Sequence, residues 1–153
     1  MRVSAKTDYA LRALVEIGRR GGGDVPVAAD DVAEAQGIPR GFLLGILGDL
    51  RRGGLLRSQR GPQGGWLLAR APEEIALADV IRIVDGPLAS VHGMRPEAAE
   101  YGAGMEALQQ VWIAVRSSLR EVLETLTLAD LLRGELPARV AARVDDEEAW
   151  RPH

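Results

Sequence analysis

Residues 38–70 read IPRGFLLGILGDLRRGGLLRSQRGPQGGWLLAR. Leu43, Ile46, Leu47 and Leu50 recur at helical spacing between Pro39 and the glycine pair that follows, which predicts a helix over 39–52. Residues 55–60 and 66–70 read as two strands on either side of a glycine-rich turn, 61–65. A short helix followed by such a hairpin is typical of a DNA-binding helix with a β wing.

The residues before this stretch complete a helix-turn-helix pattern. Residues 7–20 carry apolar side chains at helical spacing and are followed by glycines, and residues 30–36 predict a second, short helix that ends at Gly37. Val32 is apolar, Ala33 is small where the two helices cross, and Ile38 follows the turn. The pattern favours DNA binding, although a purely structural helix pair would have the same spacing.

Charge is distributed unevenly along the chain, whose formal net charge is -3. Residues 1–72 contain 11 basic and 7 acidic side chains, whereas residues 73–153 contain 8 basic and 15 acidic ones. Six arginines and a single acid lie within 38–70. Such a cluster predicts contacts with phosphate, and the alternative is a solvated face that balances an acidic surface.

The wing carries arginines close to its tip. Arg57 and Arg60 lie at the end of the first predicted strand, where they could reach the DNA backbone or minor groove. Glycines at the tip would leave backbone amides open to phosphate, or they serve an ordinary hairpin turn. The turn is not followed by a helix N-terminus, so it is a poor candidate for a nucleotide-binding loop.

The sequence resembles the Rrf2 family of bacterial transcription regulators over most of its length. The resemblance lies in 1–4, 8–14, 38–40 with 42–43, 50–56, 60–70 and 75–86, and the wing block is its most specific part. It implies a mainly α fold with a small β wing, a winged helix-turn-helix followed by a long C-terminal dimerisation helix. The predicted divisions are a DNA-binding domain (1–72), a connecting helix and sensor-type loop (73–102), a dimerisation helix with a short final helix (103–133) and, from the composition of the C-terminal residues, a flexible tail (134–153).

The same resemblance places the second helix of the motif in the major groove of double-stranded DNA. Together with the arginine pattern, it predicts the following DNA-binding residues: Arg40, Gly41, Phe42, Arg51, Arg57, Arg60, Gly61, Gly64 and Gly65. Leu44 and Gly45 stand where family members often carry polar residues, and glycines weaken the helix. Base readout is therefore predicted to depend on Arg40 and the wing arginines, with a contribution from DNA shape.

A seam of apolar residues with a period of 3.5 crosses the second half of the chain. It consists of Met105, Leu108, Trp112, Val115, Leu119, Val122 and Leu126. This period predicts a partner helix, whereas the alternative is a core stripe within a monomer. In the family the helix forms the dimer interface, so the resemblance implies a homodimer on a palindromic operator. A short final helix is predicted over 127–132.

The segment 87–104 corresponds to the position where cluster-binding members of the family keep three cysteines. The chain has no cysteine, which excludes disulfides, a thiol nucleophile and a cysteine-ligated cluster. His92, Glu97 and Asp8 are a poor metal signature, so no metal and no cofactor are predicted. A candidate effector pocket for a small molecule is predicted from four residues: Met94, Arg95, Tyr101 and Trp112.

The remaining expectations concern location and activity. The charged N-terminus and the lack of a long apolar run predict a cytoplasmic protein without a membrane segment. No nucleophile and base are recognisable, so the chain is not expected to be an enzyme. The leading interpretation is a DNA-binding regulator that is expected to act as a repressor, and the alternative is a protein-interaction module with weak or nonspecific DNA binding.

Overall fold

Helices form most of the structure, a computed structural model that describes residues 3–22 and 24–152. Four residues lie outside the described residues. Met1 and Arg2 belong to the stretches that carry the resemblance, Gly23 belongs to the predicted end of the first helix, and the fourth is His153. The helices and strands are α1 (Ala5–Gly21), α2 (Ala29–Gln36), α3 (Arg40–Arg52), β1 (Leu56–Gln59), β2 (Gly65–Leu68), α4 (Leu77–Val84), α5 (Glu106–Leu123), α6 (Leu128–Arg133) and α7 (Ala138–Val144). This arrangement confirms the predicted fold class.

Helix α1 begins two residues earlier than predicted because Ser4 caps it. The Ser4 Oγ accepts a hydrogen bond from the Thr7 backbone N–H at 3.0 Å, which satisfies one of the free donors at the helix start. The helix ends at Gly22, whose φ of 52° is left-handed. Its inner face buries Ala10, Leu14 and Ile17, which are among the centres of the core.

Helices α2 and α3 form the predicted helix-turn-helix. Gly37 has a φ of 61°, and its N–H donates to carbonyl oxygens in the last turn of α2. The Ile38 N–H donates to the Ala33 carbonyl at 3.0 Å, which closes the turn before α3 begins. Val32 and Leu43 are fully buried, so the two helices are held together by the core and not by their polar surface.

The wing is an antiparallel hairpin in which Leu56 pairs with Leu68 and Gln59 pairs with Gly65. The backbone of Val27 adds to it, since Val27 and Trp66 exchange N–H to carbonyl hydrogen bonds of 2.9 and 2.8 Å. The sequence predicts Trp66 and Leu68 as the packed face, but Leu67 is also buried. The neighbouring segment at Val27 fixes the wing to the body of the protein.

The core continues past residue 72, the predicted end of the DNA-binding domain. Ile75, Val80 and Leu128 lie in the same hydrophobic core as α1 and α3. The backbone on either side of α5 pairs as well, since the Leu77 N–H donates to the Leu126 carbonyl at 2.9 Å. The C-terminal elements α4 and α6 are therefore parts of the body that holds the helix-turn-helix.

The prediction of a flexible tail over 134–153 is wrong. Residues Ala138–Val144 form α7, and Val140 is only 6% exposed because it packs in a cluster with Leu77 and Leu126. Helix α7 also forms salt bridges with α5, as Arg139 and Arg143 lie 3.1 and 3.0 Å from the Glu121 carboxylate. One buried valine among charged residues gives a weak periodic signal, which explains why the sequence did not predict this helix.

Among the seven α-helices that the structure describes, α5 alone has no buried residue. None of its 18 residues, all of which are described, is buried. Leu126, predicted as part of its seam, lies beyond the helix end and is buried in the chain's own core, so it does not belong to an open face. Within the described residues no helix is long and apolar enough to cross a membrane.

Candidate nucleic-acid interface

The outer face of α3 is exposed and largely apolar. Phe42 is 46% exposed and Leu44 is 37% exposed, while Arg40, Gly41 and Gly45 beside them are also exposed. The opposite face, through Leu43, Ile46, Leu47 and Leu50, is buried and fixes the orientation of the helix. Helix α3 therefore presents to solvent the start that the sequence predicts as DNA-facing.

A shallow groove of about 340 Å³ runs along this face. Gly41, Gly45 and Gly48, which share one side of α3, form part of its lining. Lys6 of α1 joins it, with Nζ 2.7 Å from the Asp49 carboxylate. The Lys6 hydrogen bond holds the pKa of Asp49 below its ordinary value of 3.8. Sequence reasoning missed Lys6, although the spacing of the three glycines could have indicated a smooth face.

Aromatic and polar contacts from α1 support the start of α3. The Tyr9 ring meets the Phe42 ring edge to face, with centroids 5.8 Å apart and an angle of 82° between planes. The Arg12 guanidinium lies 5.5 Å from the centre of the Tyr9 ring and donates to the Gln36 carbonyl at the end of α2. Tyr9 therefore fixes Phe42 in part, and Arg12, which contacts Tyr9, also binds the end of α2.

A second polar contact joins α1 to α2. The Gln36 side-chain amide donates to the Glu16 carboxylate at 2.8 Å, and Arg20 donates to the other carboxylate oxygen. The Arg20 hydrogen bond lowers the pKa of the Glu16 carboxyl, so the group stays ionised farther into the acid range than an ordinary glutamate. These residues position α2 and lie behind the exposed face, so their role is support.

The predicted arginines lie along α3 and the wing. Arg40 pairs with Asp30 at the start of α2, while Arg51 donates to the Ser58 Oγ at 3.4 Å and so links the end of α3 to β1. Arg57 and Arg60 are exposed on β1 and just beyond it. The structure therefore brings the predicted arginines onto the two elements that would meet a DNA duplex.

Two of the three predicted wing glycines have a different role from the one the sequence suggests. A Cβ at Gly64 would lie 2.3 Å from the Gln59 carbonyl oxygen, and the Gly64 N–H already donates to the Gly61 carbonyl at 2.9 Å. A Cβ at Gly65 would lie 2.5 Å from the Val27 carbonyl oxygen. Both positions need glycine for close backbone packing, so the prediction that Gly64 offers a free amide to phosphate is wrong. Gly61 is exposed, with a φ of 111°.

This arrangement has the physical properties of a duplex-binding surface. A helix with a smooth outer face can approach the major groove closely, and exposed guanidinium groups on both sides of it can pair with phosphates. The wing extends the cationic surface beyond the end of the helix. The apolar face of α3 itself supplies few hydrogen-bonding groups for base edges.

Comparison with known proteins identifies the family. The family model described as Rrf2, iron-dependent transcriptional regulator, matches residues 3–134. The chain belongs to the Rrf2 family. A Mycobacterium tuberculosis protein, provisionally named the HTH-type transcriptional regulator Rv1287, is 50% identical over 149 residues, which cover 97% of this chain and 92% of that protein.

Solved structures of Rrf2-type regulators have the same fold. CymR, described as the global cysteine regulator of B. subtilis, is 28% identical, with a TM-score of 0.74 and coverage of 89% of this chain and 99% of that one. IscR of T. potens is 32% identical, with a TM-score of 0.69 and coverage of 100% and 93%. The chain is accordingly a DNA-binding transcriptional regulator of the Rrf2 type with a winged helix-turn-helix.

The iron dependence in the family description does not fit the donor groups of this chain. The sequence has no cysteine, and no group of three or more His, Asp or Glu side chains within the described residues is arranged to hold a metal ion. Glu97 is paired with Arg116, Asp8 lies 3.3 Å from Arg12, and His92 is exposed. The side chains considered in the sequence as metal ligands are therefore dispersed or already paired.

The four residues of the predicted effector pocket do not line a single cavity. A cavity does lie between the end of α4 and α5, and Arg95 lines it. Met94, Tyr101 and Trp112 do not line it, and Met94 and Trp112 are exposed. The sequence interpretation favoured aromatic side chains, whereas half of the residues that line this cavity are arginines from separate segments.

Proposed function

We propose that this Rrf2 regulator acts as a homodimer that binds a palindromic operator and represses transcription there. The observation that carries the proposal is α5, an 18-residue helix with an apolar seam and no buried residue in the single chain. A helix of that kind is stabilised in water mainly by covering its apolar face. A second copy of the same helix covers it through a symmetric interface.

The open part of the seam is the N-terminal half of α5 and the residue before it. Met105, Leu108 and Trp112 are exposed there, and Val111 beside them is 50% exposed. Farther along, Leu119 lines a small cavity with Ile81, and Val122 packs on the cluster around Leu126. The proposed dimer contact is therefore centred on residues 105–112 and reaches Val115 and Leu119 at its edge.

The proposed DNA contacts are distributed over α3 and the wing. Arg40 lies at the start of α3 and Arg51 at its end, while Arg57, Arg60 and Gly61 belong to the wing. The smooth face around Gly41 and Phe42 would lie in the major groove. We infer that sequence is read by Arg40 and by wing arginines, together with the shape of the DNA.

Repression is the simplest consequence of this arrangement. A bound dimer occupies DNA that the transcription machinery needs, and this requires only a DNA surface and a dimer surface. The proposed activity is binding rather than catalysis, and the proposed location is the cytoplasm, where a bacterial chromosome lies. Its relatives of similar length are named as transcriptional regulators, which supports this role.

The first experiment is a selection of bound sequences from random duplex DNA, with the mass of the protein measured in solution. A palindromic consensus bound by a dimer supports the proposal. Trp112→Glu should yield a monomer with reduced operator affinity, while Ile113→Glu, equally exposed at 38% but off the seam, should remain dimeric. If both variants remain dimeric, residues 105–112 are not the interface.

A matched pair of arginine variants tests the DNA surface. Arg60→Ala should weaken binding to all duplexes. It should also reduce the slope of log affinity against log salt concentration by about one, which corresponds to the loss of one phosphate contact. Arg40→Ala should also change the preference among sequences. An equal loss of discrimination in both would refute the assignment of base reading to Arg40.

A protein-interaction module is a second candidate, because Phe42 and Leu44 expose apolar surface where DNA readers usually carry polar groups. Salt titration separates the two functions. Binding through phosphates weakens steeply as salt rises, whereas an apolar protein contact does not. Failure to bind any duplex at low salt would favour the interaction module.

A further inference from the structure

A cavity of about 410 Å³ lies between α4, the loop that follows it and α5. Small-molecule sites in proteins typically measure about 300 to 1,000 Å³, so the space is sufficient for a small metabolite. Its lining consists of three residues in the loop directly after α4, together with Arg82, Arg95, Glu97, Arg116 and Arg120. Three separate segments of the chain contribute to it.

The lining is strongly cationic for its position in the chain. Four of its residues are arginines and one is a glutamate. These four are half of the 8 basic residues in 73–153, a part of the chain that also holds 15 acidic ones. Arginines are thus concentrated at one cavity in the more acidic half of the protein.

Nearby carboxylates pair with some of these guanidinium groups. Glu97 pairs with Arg116, whose side chain is only 22% exposed, and Glu124 pairs with both Arg82 and Arg120. The hydrogen bond from Arg120, followed by that from Arg82, holds the pKa of Glu124 below 4.5. Arg95 forms no salt bridge with any residue that the structure describes. The cavity therefore keeps cationic donors that its own carboxylates do not use.

We propose that this cavity binds a small molecule with at least two anionic groups, phosphate or carboxylate, and that this ligand is the effector of the regulator. The second part rests on the proposed function. A guanidinium binds either anion through two parallel hydrogen bonds, and several arginines around one cavity favour a ligand with more than one such group.

Helix α4 connects this cavity to the DNA-binding helix. Arg82 lines the cavity, and the next residue, Ile83, packs at the end of α3, where a Cβ on Gly53 would lie 2.4 Å from Ile83 Cδ1. An anion bound to Arg82 competes with Glu124, the residue that links α4 to the end of α5. Binding would therefore change how α4 is held between the dimer helix and α3.

Binding is tested on the full-length protein by calorimetry with two probes, inorganic pyrophosphate and citrate, against sodium chloride at equal ionic strength. Saturable binding of one probe molecule per chain is expected, and the better probe separates phosphate from carboxylate ligands. Arg95→Gln/Arg116→Gln should lower the affinity at least tenfold. Arg139→Gln/Arg143→Gln removes the same charge from α7 and should leave the affinity within about twofold.

Several results would overturn the site. It is refuted if neither probe binds, if binding survives in the cavity variant, or if the α7 variant loses affinity to the same extent. It is also refuted if the cavity variant is monomeric while the parent is a dimer, since the arginines would then serve the interface. Arg95→Gln alone, which breaks no salt bridge to a described residue, should weaken binding severalfold and guards against misfolding of the double variant.

The effector role has its own readout. A probe concentration that just saturates the parent should change its operator affinity by a factor of about 5 to 150, the usual range of coupling between two sites, and should have a clearly smaller effect on the cavity variant. Probe binding without any change in operator affinity refutes the effector role. Probe binding by a protein that binds no duplex refutes the proposed function instead and supports the anion site.

Discussion

Replacing Gly45 with alanine should make the protein more stable and its DNA binding weaker. Gly45 lies within α3, where an added Cβ would meet no atom within 4 Å. Glycine inside a helix costs about 0.8 to 1.0 kcal/mol relative to alanine, because it loses more backbone freedom on folding. Gly45→Ala should therefore raise the free energy of unfolding by about that amount.

Thermal unfolding measures the first half of this prediction. For a chain of this size, 1 kcal/mol corresponds to a rise in Tm of about 2 to 4 °C. Parent and variant must be compared at the same protomer concentration, since association adds to apparent stability. Gly53→Ala is the control: its Cβ would lie 2.4 to 2.9 Å from three carbons of Ile83, so this variant should be destabilised.

Operator affinity measures the second half. If the glycine face of α3 allows close approach to the major groove, the Gly45→Ala methyl group should lower affinity at least tenfold in a protein that is more stable. A fall in Tm would refute the conclusion that the space around Gly45 can hold an added methyl group. A higher Tm with unchanged operator affinity would show that this face does not touch DNA.

Three further predictions concern stability. Asp130→Asn should cost about 1 kcal/mol at neutral pH, because Asp130 accepts hydrogen bonds from the Thr127 backbone and hydroxyl. The backbone bond lowers the Asp130 pKa below 3.8, so the cost should be complete above that pH and shrink in urea titrations as the pH falls through the folded-state pKa. Val140→Ala should lower the free energy of unfolding by about 1.5 kcal/mol in the same assay. An unchanged free energy of unfolding would instead support the flexible tail that the sequence predicts. Gly65→Ala should cost about 1 to 3 kcal/mol, because its Cβ would lie 2.5 Å from the Val27 carbonyl oxygen; a neutral effect would contradict the contact between that segment and the wing.

The helix-turn-helix and wing could be predicted to within two residues because their signals are local. Apolar residues at helical spacing mark α3, and a glycine at position 37 marks the turn, where the structure has a left-handed φ of 61°. The purpose of the wing glycines could not be predicted in the same way. Gly65 is constrained by Val27, which lies far before it in sequence, and only the fold brings the two backbones together.

The lining of the candidate cavity could not be described from the sequence. Arg116 and Arg120 lie one helical turn apart and indicate a cationic face, but Arg82 and Arg95 come from other segments. Their convergence depends on how α4, the loop and α5 pack. The sequence interpretation favoured aromatic residues such as Trp112, although Trp112 lies on the part of the seam that is exposed to solvent.

Helix α4 lies between the proposed effector cavity and the end of the DNA-binding helix α3, so a ligand in the cavity could act on DNA binding without contacting DNA. Successive residues of a helix point about 100° apart, so Arg82 and Ile83 contact different neighbours although they are adjacent in the chain. Ile83 packs so closely on Gly53 that α4 and the end of α3 have little room to move independently. Arg82, in contrast, is held by surface salt bridges to Asp79 and Glu124, which are individually weak and can be exchanged for a ligand. In the proposed effector response, a shift of α4 would therefore be easiest on its α5 side and would be transmitted on its α3 side, which is the asymmetry that coupling between an effector and a recognition helix requires.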